Sequence, residues 1–599
     1  MTLTEVQVSL VAEDSFREVL AEPEGAPVRA GTYAPQGTSS LDTGPLPAIL
    51  TPPPAQVRLR TGRLDASCHL ELALGFNRSA YEGEDSGIVR FTLEPERGDP
   101  LSFELPYGPG VPRQERAWTR TTWSPGSSES FILRTERIAG TGTPEACFGS
   151  LEVVTETRRP RERATQEAPN IVVLVVDTLR YDRLGCYGNP RGLTPTIDSL
   201  AARGVLYEEA YSTAPWTWPS TASTLTGLTP AEHGVVSHQA CYLADALETL
   251  PEALQRGGWT TAGFSANPLI SAAKAFDQGF ERFRSYEWDH ADVVMDEALA
   301  WLKELGEWRF FLYLQVVDPH DYRPGEENRE RFASTAPEGF SRQGVRSMLG
   351  KKVLGQPYDE ARLESWTAHL AELYDACVAD VDGQLARLMT VLEQRGQLDR
   401  TLFVVTSDHG EEFLDHGLLY HGSQLHRELT GIPFVMAGPG IPEGRRVSDR
   451  VENRFLASTL LDLLGVPNPG NLAGLNLLDD VELETGAREA SFVTTSQGIW
   501  PRAGGEDWRN LEMHGVRLGD EFFVWLPDSP EGTSHQTLFD LAADPEALRD
   551  IAEQRPERCD ALRTLIERWL QRGAEVRPSV LGGGEDALEM LRKLGYVDR

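Results

Sequence analysis

The sequence predicts an α/β protein: a mostly parallel sheet between helices, preceded by a β-sandwich domain and followed by a smaller α+β subdomain. Three observations carry this. Short apolar runs, "IVVLVV" (171–176), "TTAGFSA" (260–266), "FFLYLQVV" (310–317), "LFVVTS" (402–407) and "PFVMAG" (433–438), alternate with segments of helical period. Strands buried on both faces read as such continuous runs, as in parallel sheets covered by helices. Upstream, from "VRLRTGRLDASCHLELALGFN" to "ACFGSLEVVTE", the apolar period is two, with Gly, Pro and Ser between segments, which is the pattern of a sandwich. The charged stretch "TRRPRERATQEAPN" (157–170) separates the two grammars.

Taken in order, residues 1–55 carry little pattern and run into the Pro-rich "LPAILTPPPAQ", so an extended arm or linker is expected there. The sandwich is expected over 56–160. Its aromatics Tyr107, Trp118 and Trp123 could line a glycan- or partner-binding face, but a small sandwich core needs them equally, and the core reading is preferred. A catalytic-size domain follows over 168–484. Within it, 361–396 reads as a long helix ending at a Gly cap. The subdomain 485–599 contains a hairpin, "HGVRLGDEFFVWLPD", and then a helical stretch.

Composition narrows the function. There are 57 basic against 91 acidic residues in 599, a net charge of −34. Such a surface repels phosphate backbones and argues against nucleic-acid binding. No apolar run reaches the roughly 18 residues of a membrane span. The N-terminus shows neither the basic start nor the apolar core of an export signal, which favours the cytoplasm, although the acidic surface suits an exported protein equally. Six cysteines form no disulfide framework. Cys68 and Cys147 share a region and are read as free thiols ahead of a pair.

In open α/β sheets, ligands bind outside the carboxyl ends of the strands. Asp177 ends the first run, Asp318 and His320 follow the third, and Asp408 and His409 follow the fourth. One strand-end Asp is usually a turn residue or a helix cap. Three, two of them joined by a histidine, suggest a metal site. Thr217, in "APWTWPSTASTLTG", lies just before Pro219, a residue suited to a first helical turn, so Thr217 or Trp218 is expected at the cap. The bland reading of Thr217 is an N-cap. The functional one is a hydroxyl activated by a metal, since a free Thr hydroxyl is a poor nucleophile. Asp177, Thr217, Asp408 and His409 would suffice for one ion. In "SDHGEEFLDHGLLYHGSQLH", His409 and then His421 are the preferred functional histidines. His416 and His426 are read as structural or rim residues, and Glu411 and Glu412 as caps of a helix after Asp408.

The segments "NIVVLVVDTLRYDRLGCYG", "PTIDSLAARGVLYEEAYSTAPWTWPSTASTLTGLTPAEHGV", "FFLYLQVVDPHDYRPG" and "TLFVVTSDHGEEFLDHGLLYHGSQLHRELTGIPFVMAGPG" together resemble the sulfatase family within the alkaline phosphatase superfamily. The C-terminal "LFDLAADPEALRDIA" and "LRKLGYVDR" also resemble the ends of such enzymes, so the resemblance runs over about 168–599. It implies a metal-dependent hydrolase with Asp177, Asp408 and His409 on the ion and Thr217 as nucleophile. It places His320 and His421 at positions that contact the transferred group or a second metal, and Asn267 in a region that supplies substrate contacts.

Departures from the family pattern redirect the chemistry. Sulfate-ester hydrolases of the family usually carry Cys or Ser in Cys/Ser-x-Pro-x-Arg, oxidised to formylglycine. Here Thr217-Trp218-Pro219-Ser220-Thr221 stands instead. Threonine cannot give that aldehyde, because its Cβ carries a methyl group, and the motif's Arg is replaced by Thr221. The usual acidic pair is Asp177-Thr178, and the usual Asp-Asn is Asp408-His409. Exchanging carboxylate for imidazole favours zinc or manganese over calcium or magnesium. Asp318, His320 and His421 offer ligands for a second ion. The expectation is a hydrolase of phosphate mono- or diesters acting on a small-molecule or glycoconjugate ester through one or two divalent ions and Thr217. The alternatives are a sulfuric ester hydrolase without formylglycine and a non-catalytic binding protein.

Overall fold

The computed structural model describes residues 16–21, 29–33, 46–61, 68–95, 98–112, 116, 118–123, 130–155, 161–237, 242–286, 288–468, 470–472, 474–479, 490–500 and 508–577. The chain forms two compact units, 1–159 with 579–599, and 160–578. The "LRKLGYVDR" segment lies outside the described residues.

The first unit holds two five-stranded antiparallel sheets. One runs Phe16–Ala21, Ala55–Thr61, Ser130–Gly140, Gly87–Pro95, Leu101–Tyr107 in spatial order, and the other Arg29–Tyr33, Leu46–Leu50, Ala146–Thr155, Cys68–Phe76, Thr119–Trp123. Alternate residues such as Val57, Phe91 and Leu133 of the first meet Leu72, Leu74 and Phe148 of the second in one core. Phe91 and Phe148 pack edge to face at 5.4 Å. Tyr107, Trp118 and Trp123 are buried, so the core reading of these aromatics holds. The expected arm over 1–55 is corrected: three strands within it join the sheets, Phe16–Ala21 beside Ala55–Thr61 and Arg29–Tyr33 beside Leu46–Leu50. Backbone pairing with a neighbour supports them where side-chain alternation is weak. Cys147 is a free thiol. The register sets Cys147 opposite Gly75 and Cys68 opposite Thr155, at opposite ends of one ladder.

The second unit is built on an eight-stranded sheet. Its strands are β1 Asn170–Val176, β2 Gly204–Tyr211, β3 Thr260–Ser265, β4 Arg282–Ser285, β5 Phe310–Val316, β6 Thr401–Thr406, β7 Phe434–Ala437 and β8 Arg445–Glu452. Their order is β4-β3-β5-β1-β6-β7-β2-β8. All pairs are parallel except those made by β7, which runs antiparallel to β6 and β2. All five apolar runs of the sequence are strands here. The edge strands β4 and β8 are partly exposed, so each lacks the continuous apolar run that marks a central strand.

Alternation along β1 serves two cores. Val172, Leu174 and Val176 meet α2 Ala291–Leu305 and α3 Glu360–Gln394. Ile171, Val173 and Val175 share the opposite core with α1 Thr217–Thr226 and α4 Phe455–Leu463. α3 is capped by Asp359, whose carboxylate accepts the Arg362 N–H at 3.0 Å, and is followed by Gly396 at φ +64. After the sheet come four antiparallel strands, Ala490–Trp500, Trp508–Leu518, Glu521–Leu526 and His535–Asp540, and the helix Pro556–Val576. The predicted hairpin is the second and third of these. No helix among the described residues is long and apolar enough to cross a membrane.

Candidate active site

Just beyond the carboxyl ends of four neighbouring parallel strands, β3, β5, β1 and β6, stand Asn267, Asp318, Asp177 and Asp408. Parallel pairing puts these ends side by side, so residues far apart in sequence converge. Asp177 continues the ladder through its N–H to Val316 O at 2.8 Å. The next residue, Thr178, takes φ +62, a left-handed conformation that costs a β-branched residue about 1–2 kcal/mol. It is held there by Tyr374 of α3, whose hydroxyl donates to Thr178 O at 2.7 Å, while Thr178 N–H donates to Asp408 Oδ1 at 3.3 Å.

Asp177, Asp408 and His409 are buried and bring one ligand atom each within 4.8 Å of one another. His409 Nδ1 lies 3.0 Å from Gly410 O. A carbonyl only accepts, so Nδ1 carries the proton and Nε2 presents a lone pair. That lone pair faces Asp177 Oδ1 and Asp408 Oδ2, each at 3.6 Å. Asp177 Oδ1 is buried with no hydrogen-bond partner. Burial raises the pKa values of both carboxyls, and Asp177 raises that of Asp408 further, while burial holds His409 well below the usual histidine range. Three buried ligand atoms thus converge, and burial makes holding negative charge on the two carboxylates costly without a counter-charge. A divalent cation fits this donor set, and the Nδ1–H···O=C bond is the orientation that metal-bound imidazoles use.

Thr217 is the first residue of α1 and is buried. The expected cap is corrected: Trp216, with extended backbone, occupies the cap, and no side chain caps the helix. The hydroxyl of Thr217 is therefore not spent on the helix. It lies 3.4 Å from His409 Nε2 and 3.4 Å from Asn267 Nδ2. Asn267 Nδ2 also donates to Asp177 Oδ2 at 2.6 Å, so Asn267 joins Thr217 to Asp177. Ser220, one turn into α1, donates to Asp408 O at 2.5 Å and accepts from Asn453 at 2.8 Å, fixing the helix against the β6 loop. Thr221, which replaces the family's arginine, is also buried.

A row of imidazoles leads away from Thr217. The His409 and His421 rings are 4.5 Å apart, and the His421 and His320 rings 4.9 Å. Burial lowers the pKa values of His421 and His320. His421 Nδ1 lies 3.2 Å from Glu411 Oε2. Glu411 is buried, and burial pushes its carboxyl up to about 8. The expected helix after Asp408 is absent, so Glu411 and Glu412 cap nothing of the kind: the chain forms the short strands Glu412–Phe413 and Leu419–Tyr420. Glu411 instead orients His421, and Glu412 accepts the N–H groups of His416 and Leu418 at 3.0 and 2.7 Å. Sequence reading missed Glu411; its available signal was an acid two residues beyond a strand-end histidine. Gln315 was also missed. Its amide donates to Asp408 Oδ2 at 3.4 Å.

Asp318 is a correction. Its carboxylate accepts the Ala291 N–H at 3.1 and 2.9 Å, at the start of α2, and His290 Nδ1 lies 3.5 Å away. Among the described residues it forms no metal-type cluster with His320 and His421, the partners expected for a second ion. A carboxylate at a helix N-terminus satisfies orphan donors and the helix dipole, and Asp318 is used that way. The structure brings Asp177, Thr217, Asn267, Asp408 and His409 together, with His421 and His320 beside them.

The profile of the sulfatase family matches residues 169–466. The chain is 25% identical over 419 residues to arylsulfatase K of Xenopus laevis, covering 61% of this chain and 75% of that one. It is 24% identical over 487 residues to an arylsulfatase of Clostridium perfringens, covering 67% and 94%. The phosphonate monoester hydrolase of Agrobacterium radiobacter superposes with a TM-score of 0.55 at 21% identity, over 68% of this chain and 96% of that one. BT4656, solved with its substrate D-glucosamine-2-N,6-O-disulfate, gives 0.53 at 20%, over 68% and 98%. The fold is thus shared with a phosphonate monoester hydrolase and with a protein whose substrate is a disulfated glucosamine. Residues 169–466 of this chain form a domain of the sulfatase family.

Proposed function

We propose that this protein hydrolyses phosphate mono- or diesters with Thr217 as the attacking group, assisted by a divalent ion, zinc or manganese, on Asp177, Asp408 and His409. The observation that carries this reading is the Thr217 hydroxyl, unused by its helix and 3.4 Å from His409 Nε2, where a formylglycine precursor would stand in relatives. The bound ion supplies Lewis acidity, lowering the pKa of the hydroxyl and offsetting charge on the ester oxygens. One imidazole and two carboxylates suit zinc or manganese better than an oxygen-only calcium cage. With Asp318 committed to α2, one ion is favoured over two.

Asn267 holds the Thr217 oxygen beside Asp177, and the first turn of α1, whose N–H groups lack intrahelical acceptors, favours the anionic group being transferred. In the first step the Thr217 Oγ1–P bond forms and the bond from phosphorus to the leaving oxygen breaks. The hydroxyl proton passes through a neutral imidazole, His421 or His320, to the departing alkoxide. In the second step water attacks phosphorus, the same imidazole takes its proton, and Thr217 Oγ1 leaves and is reprotonated. Glu411 engages His421 at Nδ1 and so fixes the ring, leaving Nε2 as the nitrogen that takes part in this transfer.

The second reading is sulfuric ester hydrolysis, favoured by the arylsulfatase names of the relatives. The deciding experiment assays 4-nitrophenyl phosphate, bis(4-nitrophenyl) phosphate and 4-nitrophenyl sulfate with protein stripped of metal and reloaded with zinc, manganese, magnesium or calcium. Phosphate-ester turnover that requires zinc or manganese, with a phosphorylated Thr217 peptide trapped by acid quench, supports the proposal. Dominant sulfate-ester turnover with calcium would replace it with the second reading.

A further inference from the structure

The imidazole row ends at a tryptophan. Trp288 stacks on His320, with ring centroids 4.9 Å apart and planes at 26°. From there His421, His409 and Thr217 follow at 4.9, 4.5 and 3.4 Å. Unlike the buried tryptophans of this unit such as Trp216, Trp218 and Trp259, Trp288 is 37% exposed. It is the outer end of a continuous path of rings from solvent to the proposed nucleophile.

Its backbone is built for the position. Trp288 takes φ +59, a conformation that glycine or asparagine adopts with less strain. Local strain at a bulky residue is retained where neighbouring structure over-determines it, and such outliers cluster at functional sites. Here the Trp288 N–H donates to Ala266 O at 3.1 Å, next to Asn267, and two residues earlier the Tyr286 N–H donates to Ser265 O at 2.8 Å. On the other side, Asp318 grips the Ala291 N–H. The turn is tied on one flank to the loop carrying Asn267 and on the other to the strand end carrying His320.

We infer that Trp288 is a specificity residue: it forms a platform on which a six-membered ring of the leaving group lies when the ester is held at Thr217. An indole face attracts both aryl rings and the C–H face of a pyranose, and a leaving group along the imidazole row meets no other exposed aromatic ring among the described residues on that path. The inference rests on the hydrolase reading for its placement of the ester.

The test compares phenyl phosphate and D-glucose 6-phosphate with ethyl phosphate, in the wild type, Trp288→Ala and Trp288→Phe. The expected result is that the ratio of kcat/KM for a ring ester over ethyl phosphate falls about tenfold in Trp288→Ala and is largely restored in Trp288→Phe. A fall for phenyl phosphate alone identifies an aryl leaving group, and one for glucose 6-phosphate alone a pyranose. Unchanged ratios for both would overturn the inference. Calorimetric binding of the same three esters to metal-loaded Thr217→Ala, with and without Trp288→Ala, separates this inference from the hydrolase reading. Ring preference present in Thr217→Ala and lost in the double variant supports the platform even if the wild type turns over no phosphate ester. Equal binding of ring and ethyl esters to Thr217→Ala overturns it.

Discussion

Four histidines leave one glycine-rich stretch, Ser407–His426, and reach two unlike places. His409 and His421 enter the candidate site, where the His409 Nε2 lone pair confronts two carboxylates and His421 is held by Glu411. His416 and His426 stack on each other at 3.6 Å. His416 is satisfied on both nitrogens, Nδ1 by Glu428 at 2.6 Å and Nε2 by Glu546 O at 2.8 Å. Burial acts to lower the pKa of His416, but the hydrogen bond and charge of Glu428 prevail and take it up to about 9. Its neighbour His426 is held well below the usual range by burial and by the His416 charge. The difference is one of satisfaction. His416 closes its own hydrogen bonds and serves the fold, whereas His409 turns Nε2 toward two carboxylates, an arrangement that a cation completes.

Substitutions can sharpen this contrast, the largest effect coming first. Thr217→Ala is expected to lower kcat by about 10³-fold or more with near-native circular dichroism; retention of most activity would remove Thr217 from the chemistry. Asp177→Asn places an amide donor against the His409 lone pair while its oxygen still accepts from Asn267. The metal-free protein should therefore gain about 1–2 kcal/mol in denaturant unfolding, and the thermal shift produced by zinc or manganese should vanish. A loss of metal-free stability would mean that the three ligand atoms are not in conflict. Glu411→Gln should lower kcat about tenfold through the orientation of His421, with a smaller change in KM.

Smaller effects probe the groups assigned to the fold. Asp318→Ala should cost about 1 kcal/mol at the start of α2 and leave metal affinity unchanged in titration calorimetry; weakened metal binding would return Asp318 to the ligand set. His416→Gln should keep activity and lower Tm by about 2–4 °C at pH 6. Because the folded-state pKa of His416 is raised from 6.5 to about 9, its stabilisation is complete below pH 6.5 and is lost as pH rises through 9. The Tm gap between wild type and variant should narrow over that window, and a gap independent of pH would show that the Glu428 pair is not ionic.

Much of the fold was legible because its signals are local. The five apolar runs became strands, and the change of grammar near 157–170 falls beside the boundary between the two compact units at 159/160. Strands β4 and β8 were less legible because they are partly exposed, and Phe16–Ala21 because pairing with a neighbour rather than alternation supports it. At the site, Asp177, Asp408, His409 and Thr217 could be named from strand ends and motif, and they converge. Asp318 follows its strand as Asp177 follows β1, yet it serves α2. Glu411 looked like a cap because no local signal shows that a helix fails to form after Asp408.

The sequence by itself determined the chemistry available: a threonine whose methyl-bearing Cβ rules out a formylglycine, acids placed directly after buried strands, and an imidazole beside Asp408. Only the tertiary structure decided which of those groups are left wanting a partner. Hydrogen-bond satisfaction is non-local. Ala291 removes Asp318 from the site, Glu428 and Glu546 remove His416, and Gly410 turns the His409 lone pair toward two carboxylates that β1 and β6 bring alongside.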